Sequence, residues 1–124
     1  MNKRILVVED QEDLRCVLRD LLTGSGFDVA EAADGQAGVA KAKSERPDLI
    51  LMDIQLPGID GYEASRQIKA DPDLQATPII AVSSFAMKGD EQKARASGCD
   101  EYVTKPYSPM QLLRLIRSRL GEKV

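Results

Sequence analysis

The feature that most constrains the fold is an apolar run at residues 49–52, which does not alternate with polar residues and stops at Asp53. A continuous apolar run of this length is typical of a strand buried on both faces, as in a parallel sheet. Pro57 and Gly61 then break the chain into a loop. Open α/β sheets bind ligands at the carboxyl ends of their strands, which is where this run would place Asp53. Taken alone, an aspartate here is more often a turn or helix-cap residue.

Strand and helix patterns alternate along the whole chain. Strands are predicted at 4–8, 27–32, 49–52, 79–82 and 101–104. The first predicted helix carries Leu14, Val17, Leu18, Leu21 and Leu22 and ends at Gly24; the others are predicted at 36–46, 62–70, 88–97 and from the N-cap Ser108 to about Leu120. This alternation predicts a doubly wound α/β fold, with helices on both faces of a parallel sheet of order 2-1-3-4-5.

The apolar patterns of one strand and two helices also indicate how much of each element is buried. The second strand alternates apolar and polar residues, which indicates an edge strand. The fourth helix has a thin apolar stripe (Met87, Ala94 and Ala96), so we expect it to be weakly held. The last helix has a broader apolar stripe than one sheet face needs, which fits either ordinary burial or a patch for a partner protein.

The size and composition of the chain narrow the possible functions. Its 124 residues predict one domain, residues 1–124, with too few residues after Leu120 for an effector domain. The net charge of -3 gives no electrostatic footprint for nucleic acid. No apolar segment is long enough to span a bilayer and the N-terminus does not resemble a signal peptide, so cytoplasm is the expected location.

The absence of histidine excludes Ser-His and Cys-His nucleophile pairs and most zinc sites. The two cysteines, Cys16 and Cys99, match no metal-binding spacing. Cys16 is expected in the core, whereas Cys99 follows a glycine in a loop and could be reactive. Chemistry in this chain must therefore depend on carboxylates, hydroxyls, lysine and a hard metal ion.

Five polar residues follow the predicted strands at the carboxyl edge of the sheet. They are Glu9 and Asp10 after the first strand, Asp53 after the third, Ser83 after the fourth and Lys105 after the fifth. Since the first and third strands are neighbours in the predicted order, the three carboxylates should converge, and like charges that close need a cation or a raised pKa. Oxygen ligands favour Mg²⁺, with Mn²⁺ also possible. A hydroxyl and a lysine beside such a metal suit phosphoryl transfer to a carboxylate.

These residues and their surroundings resemble the receiver domain of two-component response regulators, from Arg4 to about Leu120. The matching segments are Val7-Val8-Glu9-Asp10, Met52-Asp53-Ile54-Gln55-Leu56-Pro57 with Asp60-Gly61, Val82-Ser83 and Tyr102-Val103-Thr104-Lys105-Pro106. The 53–57 segment and residues 85–91 are also similar to the DivK subgroup of single-domain response regulators.

The resemblance implies a role for each matched residue at the acidic end of the site. Asp53 would be the phosphoacceptor. Asp10 would bind Mg²⁺ directly and Glu9 through water, with Asp53 and the backbone carbonyl of Gln55 completing the protein ligands. The remaining matched residues would bind the phosphoryl group or respond to it; these are Ser83, Lys105, the aromatic switch Tyr102, and Pro106 after a cis peptide bond. The output surface would be the face formed by the fourth helix, fifth strand and fifth helix, with Phe85, Tyr102 and Tyr107.

Two positions need separate comment. The residue after Ser83 is often alanine in this family but is Ser84 here, so either serine could supply the switching hydroxyl, although spacing favours Ser83. By resemblance, Gln55 and Phe85 flank the path of a hydrolytic water. A bulky phenylalanine cannot position water, so we expect self-dephosphorylation to be slow.

We therefore expect a single-domain response regulator, not an enzyme, that accepts a phosphoryl group from a histidine kinase or histidine phosphotransfer protein. Its output would be contact with another protein, as a monomer or weak dimer. One alternative is a module of the same fold that binds partners without phosphorylation. A second is an aspartate-nucleophile phosphatase, but the position where such enzymes commonly carry a general acid is Gln55 here. A nucleotide binder is disfavoured because the chain lacks a glycine-rich phosphate loop after the first strand.

Overall fold

The computed structural model describes residues 2–84 and 89–121, which contain five strands, five helices and one 3-10 turn. The strands are β1 (Arg4–Val8), β2 (Asp28–Ala32), β3 (Leu49–Asp53), β4 (Ile79–Ser83) and β5 (Glu101–Thr104). The helices are α1 (Glu12–Gly24), α2 (Gly35–Glu45), α3 (Gly61–Lys69), α4 (Asp90–Ala96) and α5 (Pro109–Arg119), and the 3-10 turn is Pro72–Leu74.

The five strands form one parallel sheet in the order β2-β1-β3-β4-β5. This confirms the predicted topology and the edge position of β2. The register pairs Val8 with Met52 and Asp53 with Val82, so β1, β3 and β4 end at nearly the same level. Residues that follow these strands are thereby brought to one edge of the sheet.

The unbroken apolar runs are explained by two hydrophobic layers, one on each face of the sheet. In β1, Leu6 and Val8 face a layer that includes residues of α2, α3 and α4, whereas Ile5 and Val7 face a layer that includes residues of α1 and α5. Every side chain of β3 is buried. A strand covered on both faces has no position where a solvated side chain is needed.

Three helices begin at a side chain that caps the N-terminus by accepting a hydrogen bond from a backbone amide. The Asp34 carboxylate accepts from the Ala37 amide at 2.7 Å, and the Asp60 carboxylate accepts from the Glu63 amide at 2.9 Å. The Ser108 hydroxyl accepts from the Gln111 amide at 3.4 Å, as its predicted N-cap role requires. These caps place α2 and α3 one residue earlier than predicted.

Several expectations about single side chains change with the structure. The helical pattern predicts Val17 in the apolar stripe of the first helix, but its side chain is 62% exposed because it points about 100° away from the buried Leu18. Cys16 is only half-buried. Cys99 is buried and its Sγ lies 3.4 Å from the Ser65 hydroxyl, so the idea of a reactive loop thiol is wrong. Burial also raises the pKa of this thiol, which disfavours the reactive thiolate.

The two helices with unusual apolar stripes differ in what they bury. In α4, Ala94 is buried and Ala96 is exposed, whereas Met87 and Lys88 lie outside the described residues. Its weak attachment stays a prediction. In α5, Leu112 and Ile116 are buried, but Met110 is 64% exposed.

Among residues 2–84 and 89–121, no helix has the length and apolar character that crossing a membrane requires.

Gly61 allows the loop after β3 to pack closely against the strand end. Its amide donates to the Ile54 carbonyl at 3.0 Å, and an added Cβ would overlap the Asp53 carbonyl oxygen and crowd the Ile54 Cα. Both of these are backbone atoms, which cannot move aside as the end of a side chain can. The backbone of Asp53 therefore depends on glycine at position 61.

Gly61→Ala is expected to lower the free energy of unfolding by about 2 kcal/mol, because the new methyl group displaces the backbone at the end of β3. Urea denaturation followed by circular dichroism measures this change. Gly24→Ala is the matched control, since nothing lies within 4 Å of a Cβ built there. Equal stability of the two variants would contradict the close approach at Gly61.

Candidate functional site

Three carboxylates meet at the carboxyl edge of the sheet, as the sequence predicts. Glu9 follows β1 and is 3% exposed, and Asp53 ends β3 and is 5% exposed. Asp10 is exposed beside them. One carboxylate oxygen from each of the three residues lies within 4.8 Å of the others. Two buried acidic groups and one exposed acidic group therefore surround a single point at the sheet edge.

Lys105 is the cation that faces this acidic cluster. Its Nζ lies 3.0 Å from Glu9 Oε1 and 3.7 Å from Asp53 Oδ2. The end of β5 positions it, because the Lys105 amide donates to the Ser83 carbonyl at 2.7 Å. The following Lys105–Pro106 peptide bond is cis, which is the geometry that the resemblance implies.

The charges of these groups shift one another's pKa. Burial, together with the hydrogen bond to Glu9 and the charge of that residue, raises the pKa of Asp53 from 3.8 to about 7, although Lys105 opposes the shift. Burial also acts to raise the pKa of Glu9, but hydrogen bonds with Asp53 and Lys105 outweigh it and lower the pKa. The raised pKa of Asp53 thus follows from its burial beside a second carboxyl group.

Burial acts to lower the pKa of Lys105, but its hydrogen bond to Glu9 and the charge of Asp53 raise it overall. The ammonium group is therefore firmly charged. One lysine cannot neutralise three carboxylates, so the cluster retains excess negative charge.

Backbone amides fix the orientation of both buried carboxylates. The Gln55 amide donates to Asp53 Oδ1 at 3.1 Å, and the Gln11 amide donates to Glu9 Oε2 at 3.2 Å. The second oxygen of each carboxylate, Asp53 Oδ2 and Glu9 Oε1, faces Lys105. The two side chains are thus held in one arrangement before any ligand arrives.

The donor set of this cluster fits a hard divalent cation. Carboxylate oxygens are the ligands that Mg²⁺ and Mn²⁺ prefer, and the chain has no histidine to favour zinc. The excess negative charge is a second reason for the fit. The contribution of the Gln55 backbone carbonyl to the metal site stays a prediction.

The two adjacent serines occupy different environments. Ser83 ends β4 and is 1% exposed, and its Oγ accepts from Gln55 Nε2 at 3.0 Å. Ser84 is exposed, and its backbone amide donates to Gln55 Oε1 at 3.1 Å. Ser83 is therefore the buried serine that contacts the loop after Asp53, and its expected role as the switching hydroxyl stays a prediction.

Two of the aromatic residues predicted at the output surface are described by the structure: Tyr102 lies in β5 and Tyr107 follows it. Tyr102 is half-buried and packs against the layer that includes α3 and α4 residues, whereas Tyr107 packs against the layer of α1 and α5. Both line a groove of about 270 Å³ together with Leu112 and Leu115 of α5. Phe85, which the resemblance places at this surface and on the hydrolytic water path, lies outside the described residues.

Sequence reasoning missed a second contact network behind Glu9. Arg15 Nη1 donates to the Glu9 carbonyl at 2.9 Å, and Arg15 Nε lies 3.2 Å from Glu31 Oε1. Glu31 also lies 3.6 Å from Arg19 Nη1. The only sequence signal was an acidic residue in β2 and two arginines at i,i+4 spacing in α1, which is too common a pattern to interpret.

Comparison with known proteins identifies the family of this chain. The response regulator receiver domain model matches residues 5–117. The receiver domain of the sensor histidine kinase PA1611 from Pseudomonas aeruginosa, solved with a magnesium ion in its active site cleft, has a TM-score of 0.91 and 35% identity, and the match covers 98% of this chain and 100% of that one. Chemotaxis protein CheY4 of Vibrio cholerae has a TM-score of 0.90 and 27% identity, covering 95% and 98% of the two chains. The chain therefore belongs to the response regulator receiver domain family.

Within this family, the chain is a receiver domain of the DivK type. It is 43% identical to the polar-differentiation response regulator DivK of Brucella anthropi, across 98% of this chain and 99% of that protein. The DivK protein of Brucella ovis is 42% identical over the same shares of the two chains. Both relatives thus match along nearly their whole length.

Asp53→Asn is expected to stabilise the metal-free protein at pH 8 by about 2 kcal/mol, because it removes a buried negative charge. Since the pKa of Asp53 is raised to about 7, the folded wild type keeps a proton there that the unfolded chain loses near pH 4. Wild-type stability at this group therefore falls as pH rises from 4 to 7. The advantage of the variant should grow over that interval and level off above it.

Urea denaturation in EDTA at a series of pH values measures this difference, with Asp28→Asn as an exposed control. Added Mg²⁺ should stabilise the wild type more than Asp53→Asn. An advantage of Asp53→Asn that does not depend on pH would contradict the raised pKa of Asp53.

Proposed function

We propose that Asp53 accepts a phosphoryl group from a phosphohistidine of a sensor histidine kinase or histidine phosphotransfer protein. The observation that carries this proposal is the buried Asp53 carboxylate, which lies beside both Glu9 and Lys105 at the carboxyl edge of the sheet. Membership of the receiver family and the DivK relatives support the same role. Mg²⁺ dependence is proposed from the acidic cluster.

In the proposed reaction, a carboxylate oxygen of Asp53 forms a bond to phosphorus while the bond between phosphorus and the donor histidine nitrogen breaks. The nitrogen keeps the electron pair and takes up a proton, and Asp53 becomes an acyl phosphate. Asp53 must be deprotonated to attack, and its raised pKa shows that the metal-free site resists this charge. Bound Mg²⁺ would supply the positive charge that keeps Asp53 ionised and balances the phosphoryl oxygens.

Lys105 and Ser83 would each contact the phosphoryl group in a different way. The Lys105 ammonium, 3.7 Å from Asp53 Oδ2, would pair with the phosphoryl oxygens on that side. The Ser83 hydroxyl would donate to a phosphoryl oxygen after a shift at the end of β4. That shift would draw Tyr102 inward and bias the protein toward a second conformation.

The resulting change would be transmitted by contact with another protein. The proposed output face comprises α4, β5 and α5, where Tyr102 and Tyr107 line the groove of about 270 Å³. The protein would act as a monomer or weak dimer. Its chemistry would be that of a signalling protein, with at most slow self-dephosphorylation.

Incubation with acetyl phosphate and Mg²⁺ is expected to add one phosphoryl group to the wild type, measured as a mass increase by intact-protein mass spectrometry. Asp53→Asn should show no increase because its amide is not a nucleophile, and EDTA should abolish the wild-type signal. Asp60→Asn, at the exposed N-cap of α3, is the control that changes a different carboxylate in the same loop.

A folded wild type that gains no mass under these conditions would contradict the proposal. That result would favour a module of the same fold that binds its partner without phosphorylation. Labelling that persists in Asp53→Asn would place the acceptor elsewhere.

A further inference from the structure

Gln55 joins the phosphoacceptor loop to the end of β4 through both ends of its side chain. The Gln55 side-chain nitrogen donates to Ser83 Oγ at 3.0 Å, and Gln55 Oε1 accepts from the Ser84 amide at 3.1 Å. We call this pair of hydrogen bonds the Gln55 latch. The backbone amide of Gln55 also donates to Asp53 Oδ1 at 3.1 Å, so one residue contacts both the acceptor and the residues expected to respond to it.

The orientation of the carboxamide follows from its partners. A backbone amide can only donate, so the atom that faces the Ser84 nitrogen must be the carbonyl oxygen. The side-chain nitrogen therefore faces Ser83, whose hydroxyl oxygen must accept. The Gln55 carboxamide thus bonds both serines: it contacts the side-chain hydroxyl of Ser83 and the backbone amide of Ser84.

A phosphoryl group on Asp53 would compete with this arrangement. Its oxygens are charged acceptors, and hydrogen bonds to charged acceptors are about twice as strong as those between neutral groups. The Ser84 amide has one hydrogen and cannot serve Gln55 Oε1 and a phosphoryl oxygen fully at the same time. A shift of Ser83 toward Asp53 would likewise change its distance to the Gln55 side-chain nitrogen.

We propose that the Gln55 latch holds the end of β4 in its unphosphorylated arrangement, so that Gln55 is a positioning residue that sets how readily Ser83 and Ser84 turn toward a phosphoryl group. This inference rests on the proposed phosphoacceptor role of Asp53. It differs from a role in positioning hydrolytic water, because it concerns the equilibrium between two arrangements of the protein and not the rate of dephosphorylation. A ligand that imitates the phosphoryl group without being hydrolysed therefore isolates the effect.

The test compares wild type and Gln55→Met in their affinity for beryllofluoride, a phosphoryl analogue, in the presence of Mg²⁺. Methionine is close to glutamine in size but forms neither hydrogen bond of the latch. Gln55→Met is expected to bind beryllofluoride about three- to tenfold more tightly, since two modest hydrogen bonds no longer oppose the change. The titration is followed by two-dimensional amide NMR.

A second readout needs no ligand or metal. In the free protein, the Ser84 amide should exchange with solvent faster in Gln55→Met than in wild type, because its acceptor has been removed. The matched control is Gln67→Met on α3, which loses a side-chain hydrogen bond to Glu63 of 3.0 Å far along the chain from the latch. Gln67→Met should match the wild type in both measurements.

Equal or weaker beryllofluoride binding by folded Gln55→Met, with normal binding by the wild type, would overturn the latch and leave the proposed function standing. Absence of beryllofluoride binding by the wild type would overturn both. If Gln55→Met does not fold, Gln55→Ala decides the matter, since it also removes both hydrogen bonds and should shift the affinity in the same direction. Thermal unfolding of each variant establishes which one is used.

Discussion

The chemistry of this receiver domain depends on two buried carboxylates, Glu9 and Asp53, held side by side with one ammonium group to balance them. Such a pair is unstable when both groups are ionised, and the rise in the pKa of Asp53 to about 7 is the result. The same instability makes the site receptive to positive charge. A divalent cation would neutralise a cluster that the protein alone leaves too negative, and would also balance the charge of a phosphoryl group on Asp53.

The sheet produces this cluster through its topology. Parallel strands place all carboxyl ends at one edge, and the order β2-β1-β3-β4-β5 makes β1 and β3 neighbours. The side chains of Glu9 and Asp53 are therefore brought close together. The two apolar layers bury both strands, which withholds the water that would screen the charges. Fold stability and site chemistry are therefore coupled: the burial that holds the sheet together also raises the pKa of Asp53.

The fold and the acidic cluster could be predicted from the sequence because both follow from simple periodicity. Non-alternating runs identified the buried strands, and the residues that follow those runs identified the site. Contacts made by flexible side chains could not be predicted in this way. No pattern indicates that Gln55 bridges two serines of β4 and its loop, that Arg15 bonds the Glu9 carbonyl, or that Cys99 is buried against Ser65. These contacts depend on the loop backbone, which helical or strand periodicity does not describe.

Asp53 is the proposed acceptor in this arrangement of charges. The most direct test is to phosphorylate the protein with acetyl phosphate and Mg²⁺, reduce it with borohydride and sequence its peptides by mass spectrometry. Borohydride reduces an acyl phosphate of aspartate to homoserine, so the reaction marks the acceptor residue itself. Homoserine at position 53, and at no other aspartate, is the predicted result. Homoserine at position 10 or elsewhere, or none in folded protein, would contradict the proposed role of Asp53.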